Sequence, residues 1–282
     1  MQYILIALFI LMMTCLIVVI WDTNRFVVKK YTIISEKVER PFHFVFLSDL
    51  HNKEYGNQNE KLVKKIEQIA PDVVLCGGDL LNAKPGADFR PAIKLLGKLK
   101  DKFPVYCANG NHEFRLNLYP EKYGEMGRNY FCALKECGIE PLINDKVILN
   151  EGTVAVYGLE IEKQYYKRFK KEKMPDKYVN SLLGEPDSQV YSIIMAHNPE
   201  YFEDYAQSGA DLILSGHIHG GVARFPFGKG VISPSMHLFP RYDGGNFIKN
   251  GTTMILSRGL GVHTIPVRFM NPGELIEVTI KS

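Results

Sequence analysis

A chain of 282 residues with 46% hydrophobic and 23% charged side chains has the make-up of a folded protein with a sizeable core, which excludes a disordered or low-complexity polypeptide. Its 34 basic and 31 acidic residues leave a formal charge of only +3, too little for a molecule-wide field, so no nucleic acid is expected as a partner. Five cysteines, Cys15, Cys76, Cys107, Cys132 and Cys137, follow neither a CxxC nor a metal-knuckle spacing, which argues against a disulfide framework and a zinc–sulfur site.

Near the N-terminus, Tyr3 to Trp21 reads YILIALFILMMTCLIVVIW, 19 residues in which Thr14 is the single clearly polar side chain. As a helix rising ~1.5 Å per residue, the run matches the ~30 Å hydrocarbon core of a bilayer. A cleaved signal peptide has a basic n-region, a shorter apolar core and a small-residue cleavage site. Here no Lys or Arg precedes the run and no A-x-A-like site follows it. Residues 1–21 therefore read as an uncleaved, single-pass anchor in the cell membrane. Arg25, Lys29 and Lys30 follow the span, so the positive-inside tendency puts the remainder on the cytoplasmic side. Residues 22–40 read as a charged juxtamembrane connector holding one edge strand, and 41–282 as one domain without internal repeat or linker.

From His43 onward, short apolar runs alternate with amphipathic stretches. HFVFLSDLH is a nearly continuous apolar run with a polar end. NQNEKLVKKIEQIAP carries Leu62, Val63, Ile66 and Ile69 at helical spacing, with Asn59 as N-cap and Pro71 as stop. DVVLCGGD is the next strand, RPAIKLLGKLK a helix with Ala92, Leu95, Leu96 and Leu99 on one face, and FPVYCANGNHE a third strand. TVAVYGL, VYSIIMAHN and ADLILSGHIHGG repeat the strand pattern. Strands alternating with helices imply an α/β architecture of βαβ units, whose ligands bind beyond the carboxyl ends of the strands.

Those ends carry Asp49-Leu50-His51, Gly78-Asp79, Gly110-Asn111-His112-Glu113, Ala196-His197-Asn198 and Gly216-His217-Ile218-His219. Singly, each has a plain explanation: an Asp after a strand is usually an N-cap or Asx-turn, and a His there a loop residue. Together they place five of the eight histidines at one edge of one architecture, beside two Asp and one Asn. Carboxylate, imidazole and amide oxygen without thiolate suit Mn, Fe or Zn, and seven candidate ligands suit two ions with one carboxylate shared.

The order D-x-H, G-D, G-N-H-E, H, G-H-x-H resembles the calcineurin-like metallophosphoesterase family over nearly the whole chain beyond the apolar run. GVISPSMHLFPRYDGG, SRGLG and PVRFMNPGELIEV resemble more narrowly its membrane-anchored bacterial branch, some of whose members act as phosphodiesterases, including on the pyrophosphate of UDP-diacylglucosamine. The resemblance implies a four-layer fold, two mixed sheets packed face to face with helices outside. It implies that Asp49, His51 and His219 hold one divalent ion, Asn111, His197 and His217 a second, and that Asp79 bridges them. His112 would act beside the phosphate as general acid or charge stabiliser, while hydroxide activated by the metals attacks a phosphodiester or pyrophosphate. The sequence departs from the family at Ile218, commonly Thr, and at Val222, commonly Gln; the latter bears on substrate contacts.

Three further readings concern the surroundings. His217 and His219, two apart in an extended segment, are expected to share a face, with Ile218 on the other. Glu113 is either a partner that orients His112 or a structural residue. IEKQYYKRFKKEKMP (161–175) reads as a helix with Ile161, Tyr165, Tyr166 and Phe169 on one face and Lys167, Arg168, Lys170, Lys171 and Lys173 elsewhere, either a lid over an amphiphilic substrate or an ordinary surface helix. Arg224, Lys229 and Arg241 are candidate phosphate contacts, and His43 and His237 read as structural. His263 borders a glycine-rich loop and stays undecided. The alternatives to a membrane-anchored phosphoesterase are an inactive scaffold of the same fold, a nucleotide phosphodiesterase without a lipid substrate, and an amidohydrolase-type enzyme. In the last, H-x-H comes early in the chain, whereas here it comes late.

Overall fold

In the computed structural model of the chain, which describes residues 1–167, 171–221, 223–225, 228–232, 238–262 and 266–282, the apolar N-terminal run is one helix, α1 (Gln2–Thr23). Arg168, Phe169, Lys170, Val222, His237 and His263, all singled out above, lie outside the described residues. α1 is long and apolar enough to cross a membrane, and its apolar window adds nothing to the core. Its last turn is fastened to the rest of the chain. Asp22 is buried, pairs with Arg25 at 2.7 Å and accepts the Asn271 N–H at 3.1 Å. Thr23 Oγ1 accepts the Arg268 N–H at 3.1 Å.

The strands are β1 (Phe26–Ile34), β2 (Phe42–Leu47), β3 (Val73–Cys76), β4 (Val105–Cys107), β5 (Asp145–Leu149), β6 (Val154–Leu159), β7 (Tyr191–Ala196), β8 (Leu212–Ser215), β9 (Ala223–Arg224), β10 (Gly230–Ile232), β11 (Gly245–Lys249), β12 (Thr252–Leu256) and β13 (Gly273–Lys281). One sheet runs β1-β13-β2-β3-β4 and the other β11-β12-β8-β7-β6-β5, with β9 and β10 a separate antiparallel ribbon. The connector after α1 is part of the first sheet: β1 pairs in parallel with β13 along its whole length, Phe26 opposite Gly273 to Ile34 opposite Lys281. β2, β3 and β4 are parallel, as are β6, β7, β8 and β12.

Apolar side chains alternate between the two faces of each strand, and both faces are covered, so the central strands read as unbroken apolar runs. Phe44, Phe46 and Leu75 of the first sheet meet Val156, Ile193, Met195 and Leu214 of the second in the layer between the sheets. Val45, Leu47 and Val74 point the other way, against α2 (Glu60–Ile69) and α3 (Arg90–Lys100) through Leu62, Ile66, Leu95 and Leu99. α4 (Asn111–Leu118), α5 (Pro120–Tyr123) and α6 (Met126–Glu136) extend that outer layer. On the far side, Tyr157, Ile194 and Ile213 pack with Val179 of α7 (Tyr178–Leu183) and Phe202 and Tyr205 of α8 (Phe202–Ala206). This is the four-layer α/β sandwich that the family resemblance implies. Each large apolar side chain so buried contributes roughly 1.5–3 kcal/mol.

Two local expectations are corrected. Asn59 does precede α2, yet its side chain does not cap it; Oδ1 accepts the Tyr55 N–H at 2.9 Å, because Asn59 sits in a left-handed conformation. Residues 161–175 do not form an amphipathic helix among the described residues; a single tight turn covers Lys163–Tyr166. Ile161, Tyr165 and Met174 are instead buried in the outer layer of the second sheet, which fixes the segment by tertiary packing.

Candidate metal centre

The parallel strands of both sheets end at a common edge, and the turns there carry the polar residues. Asp49 and His51 follow β2, Asp79 follows β3, Asn111 and His112 open α4 beyond β4, His197 follows β7, and His217 and His219 follow β8. The sharp reversals need unusual backbone: φ is +53° at Asp49, +47° at His51, +53° at Asp79, +73° at His217 and +55° at His219. Left-handed non-glycine residues cost about 1–2 kcal/mol each. Surrounding hydrogen bonds offset this strain, with Asp49 N–H on Gly78 O at 3.0 Å, His51 N–H on Asp79 O at 3.0 Å and Gly261 N–H on Asp49 O at 2.6 Å. At Gly110 the approach is so close that a Cβ would strike the Asp79 carboxylate.

The H-x-H segment is not extended, as its spacing had implied. β8 stops at Ser215, and the left-handed turns at His217 and His219 replace the strand period. Both histidines still reach the site. His217 N–H binds Asp49 Oδ1 at 2.9 Å, His219 Nε2 lies 3.4 Å from Asp49 Oδ1, and Ile218 is buried.

Side chains from both sheets converge. Donor atoms of Asp49, His51 and His219 lie within 4.8 Å of one another, and so do those of Asp79, His197 and His217. Asp79 belongs to both neighbourhoods: its Oδ2 is 3.1 Å from His197 Nε2 and 3.8 Å from His51 Nε2. The latter nitrogen stands 3.1 Å from His219 Nε2. A third grouping, His51, Asp79 and His112, brings His112 Nε2 to 4.0 Å from Asp79 Oδ2.

The backbone sorts the imidazoles chemically. His51 Nδ1 faces Leu81 O at 3.3 Å and His197 Nδ1 faces Gly77 O at 2.8 Å. A carbonyl only accepts, so each Nδ1 carries the proton and each Nε2 turns a lone pair to the carboxylates when the ring is neutral. His112 is reversed: the Ala83 N–H donates to its Nδ1 at 2.8 Å, which puts the proton of the neutral ring on Nε2. In the neutral rings, Nε2 is thus an acceptor in His51 and His197 and a donor in His112.

The residues fit divalent metal on their own chemistry. Asn111 Oδ1 is buried without a hydrogen-bond partner among the described residues, an acceptor suited to a cation. Burial pushes the Asp49 carboxyl up to about 6, and the Asp79 charge adds to that. Burial opposes charge on His197, yet the Asp79 and Asp49 carboxylates outweigh it and hold that imidazole at about 10. Protons thus gather where a divalent ion would supply the same positive charge, and carboxylates, imidazoles and an amide oxygen suit Mn, Fe or Zn.

Supporting residues take roles the sequence did not show. Glu113 does not touch the His112 ring. It accepts the N–H groups of Asp79 and Leu80 at 2.8 Å each and of Gly110 at 3.0 Å, knitting two turns together. Ser48 Oγ donates to Asp49 Oδ2 at 2.7 Å. Asn271 Nδ2 donates to His219 O at 2.8 Å and to Gly221 O at 2.7 Å. The buried Arg268 guanidinium spans the carbonyls of Arg258, Gly259 and Gly261 at 2.9–3.0 Å, holding the loop that covers Asp49. Tyr166, read as part of either a lid or a surface helix, stacks edge-on to His217 with ring centroids 5.7 Å apart. Arg224 binds Gly220 O and Asp243 O at 2.8 Å each, and Arg241 pairs with Glu203 at 2.8 Å, so both guanidinium groups have protein partners. His43 sits 3.4 Å from Glu277, away from the strand ends. No local pattern flags Asn271 or Arg268: each acts through backbone carbonyls of distant loops.

Comparison with known proteins adds the family. The chain is 28% identical over 262 residues to an uncharacterized metallophosphoesterase of Helicobacter pylori J99, covering 88% of this chain and 62% of that one. It is 25% identical over 257 residues to the metallophosphoesterase YkuE of Bacillus subtilis, covering 86% and 79%. To a transmembrane protein with metallophosphoesterase domain of Danio rerio it is 27% identical over 246 residues, covering 84% and 52%. The chain thus spans less than two thirds of the length of the first and third of these relatives. The calcineurin-like phosphoesterase model matches residues 42–221, from the start of β2 through the glycines after the H-x-H turn, and the chain belongs to that family.

Proposed function

We propose that this chain is a membrane-anchored phosphoesterase with two divalent ions that hydrolyses a phosphodiester or pyrophosphate bond. The observation that carries the reading is the opposed anchoring of the imidazoles: His51 and His197 rest Nδ1 on backbone carbonyls and turn Nε2 toward Asp79, while His112 accepts the Ala83 N–H at Nδ1 and presents Nε2–H beside the same carboxylate. Asp49, His51 and His219 would hold one ion, Asn111, His197 and His217 the other, with Asp79 shared. Such a pair of ions supplies Lewis-acid charge and an activated water for in-line displacement at phosphorus.

The remaining work falls to the chain. His112 Nε2–H would donate a hydrogen bond to the leaving oxygen and stabilise the charge that develops there, and the Ala83 N–H on Nδ1 fixes the neutral ring for that task. Glu113 holds the Asp79 and Gly110 turns in register, so that the shared carboxylate and the donor keep their distance. Neither Arg224 nor Arg241 is assigned to substrate in this reading, because each is engaged within the protein. The apolar helix favours an amphiphilic, lipid-linked substrate over a free nucleotide. The basic residues after the span, Arg25, Lys29 and Lys30, support a cytoplasmic catalytic domain.

The test is hydrolysis of a generic aryl phosphodiester by the purified full chain with Mn, Fe or Zn added. Activity that depends on metal and disappears in Asp79→Asn supports the assignment, and undiminished activity in that variant rejects it. Panels of lipid pyrophosphates and nucleotides, run in the same assay, then separate the lipid-linked substrate from the nucleotide.

A further inference from the structure

Where α1 meets the folded domain lies a groove of about 520 Å³ whose lining includes none of the histidines at the strand ends. One wall is the exposed, apolar last turns of α1, with Ile17, Ile20 and Trp21, continued by Phe26 of β1. The opposite side is Tyr55 and Lys61. A second groove of about 510 Å³ shares Phe26 and Lys61 with the first and runs on past Lys64, Lys65 and Gln68 of α2. The two form one channel, apolar at the α1 end and basic at the α2 end.

The charge is a consequence of helix geometry. α2 buries Leu62, Val63 and Ile66 against the sheet, so positions 61, 64 and 65 are left at the outer surface. Two nearby carboxylates are engaged elsewhere, Asp22 with Arg25 at 2.7 Å and Glu67 with Lys102 at 2.9 Å, which leaves Glu60 as the acidic residue beside the three lysines on α2. Among the described residues no carboxylate forms an ion pair within 4.0 Å of Lys61, Lys64 or Lys65, so three lysines against the single Glu60 leave this face net positive. Trp21, at the end of the apolar run, marks the level of the membrane–water interface. On the membrane-anchored reading of the proposed function, the basic end lies at headgroup depth and the apolar end at acyl-chain depth.

We propose that this channel binds an anionic glycerophospholipid of the bilayer that α1 enters, with its phosphate on Lys61, Lys64 and Lys65 and one acyl chain along Ile17, Ile20 and Trp21. The inference rests on the membrane-anchored part of the proposed function and is independent of the hydrolytic chemistry. Bound there, the lipid fixes the catalytic domain against the bilayer and sets the direction in which the metal centre faces.

Trp21 is the chain's one tryptophan, so its fluorescence reports on the site directly. The full chain is reconstituted in phosphatidylcholine vesicles carrying rising fractions of brominated phosphatidylglycerol or, separately, brominated phosphatidylcholine. The proposal requires the anionic lipid to quench Trp21 at a several-fold lower mole fraction than the neutral one. With ~1 kcal/mol per lysine near an anionic surface, the triple variant K61Q/K64Q/K65Q should remove that preference, weakening apparent binding by about tenfold or more. Its metal-dependent hydrolysis of a soluble aryl phosphodiester should be unchanged, which separates this test from that of the chemistry. Equal quenching by the two lipids, an unchanged preference in the variant, or no quenching by either would overturn the proposal. A competition arm with inorganic phosphate distinguishes the source of the anion: full displacement of the lipid by millimolar phosphate would show a simple phosphate site and overturn the lipid assignment.

Discussion

Asn271 Nδ2 donates to the His219 carbonyl at 2.8 Å, a bond between the loop before the last strand and the turn that carries the H-x-H pair. The same amide holds Gly221 O at 2.7 Å, and the Asn271 backbone N–H reaches Asp22 at the end of α1. A left-handed histidine between glycine-rich neighbours has little to define its conformation other than such bonds. Asn271→Ala should therefore lower metal affinity by about tenfold to a hundredfold, the usual cost of losing a residue that orients a ligand. Calorimetric titration with Mn or Zn measures this, and circular dichroism shows whether the fold is kept.

Glu113 is a structural clamp and should behave as one. Glu113→Ala leaves the buried N–H groups of Asp79, Leu80 and Gly110 without their acceptor. At about 1–3 kcal/mol for each unsatisfied group, the loss should be about 3 kcal/mol or more. Glu113→Gln keeps one acceptor oxygen and should lose clearly less. Denaturant unfolding of the metal-free chain compares the two variants.

His112 and His197 make opposite predictions despite lying at the same edge. His112→Ala removes a donor whose ring is set by the Ala83 N–H, so kcat should fall by about a hundredfold to ten-thousandfold while metal content stays at the wild-type level. His197→Ala removes an Nε2 that stands 3.1 Å from Asp79 and can ligate once its proton is lost, so bound metal itself should fall. Elemental analysis beside steady-state kinetics distinguishes the two.

The pH dependence of metal binding follows from the same contacts. His197 is held at about 10 by Asp79 and Asp49, so at pH 7 the metal-free imidazole is protonated and must lose that proton to ligate. Binding should then release a proton, and affinity should climb by up to about tenfold per pH unit as pH approaches 10. Asp49, raised to about 6 by burial, should add a second released proton below that pH. Titrations in buffers of different ionisation enthalpy count the protons, and a pH-independent affinity would contradict this account.

Much of the fold was legible because central strands buried on both faces leave continuous apolar runs, and helices covering them leave a 3.6-residue stripe. Of the face read as Leu62, Val63, Ile66 and Ile69, the first three are buried and Ile69 is partly buried against the same core, and Ala92, Leu95, Leu96 and Leu99 are buried as expected. The described residues of 161–175 failed the same reading: Ile161 and Tyr165, at helical spacing, are satisfied by burial in the outer layer without an α-helix. Asn59 failed differently, since a left-handed backbone turned its side chain to Tyr55.

The sequence by itself determined which polar residues stand at the strand ends. Asp49, His51, Asp79, Asn111, His112, His197, His217 and His219 all stand at strand ends, because the strands are short apolar runs whose limits are visible residue by residue. Only the tertiary structure decided what each imidazole can do. The Ala83 N–H and the carbonyls of Leu81 and Gly77 assign the ring protons, and those partners lie 29, 30 and 120 positions away in the chain. Asn271, 52 positions beyond His219, likewise meets it only in the folded molecule. Residue type is written locally, whereas the direction of a lone pair is set by whichever backbone group folding brings against the ring.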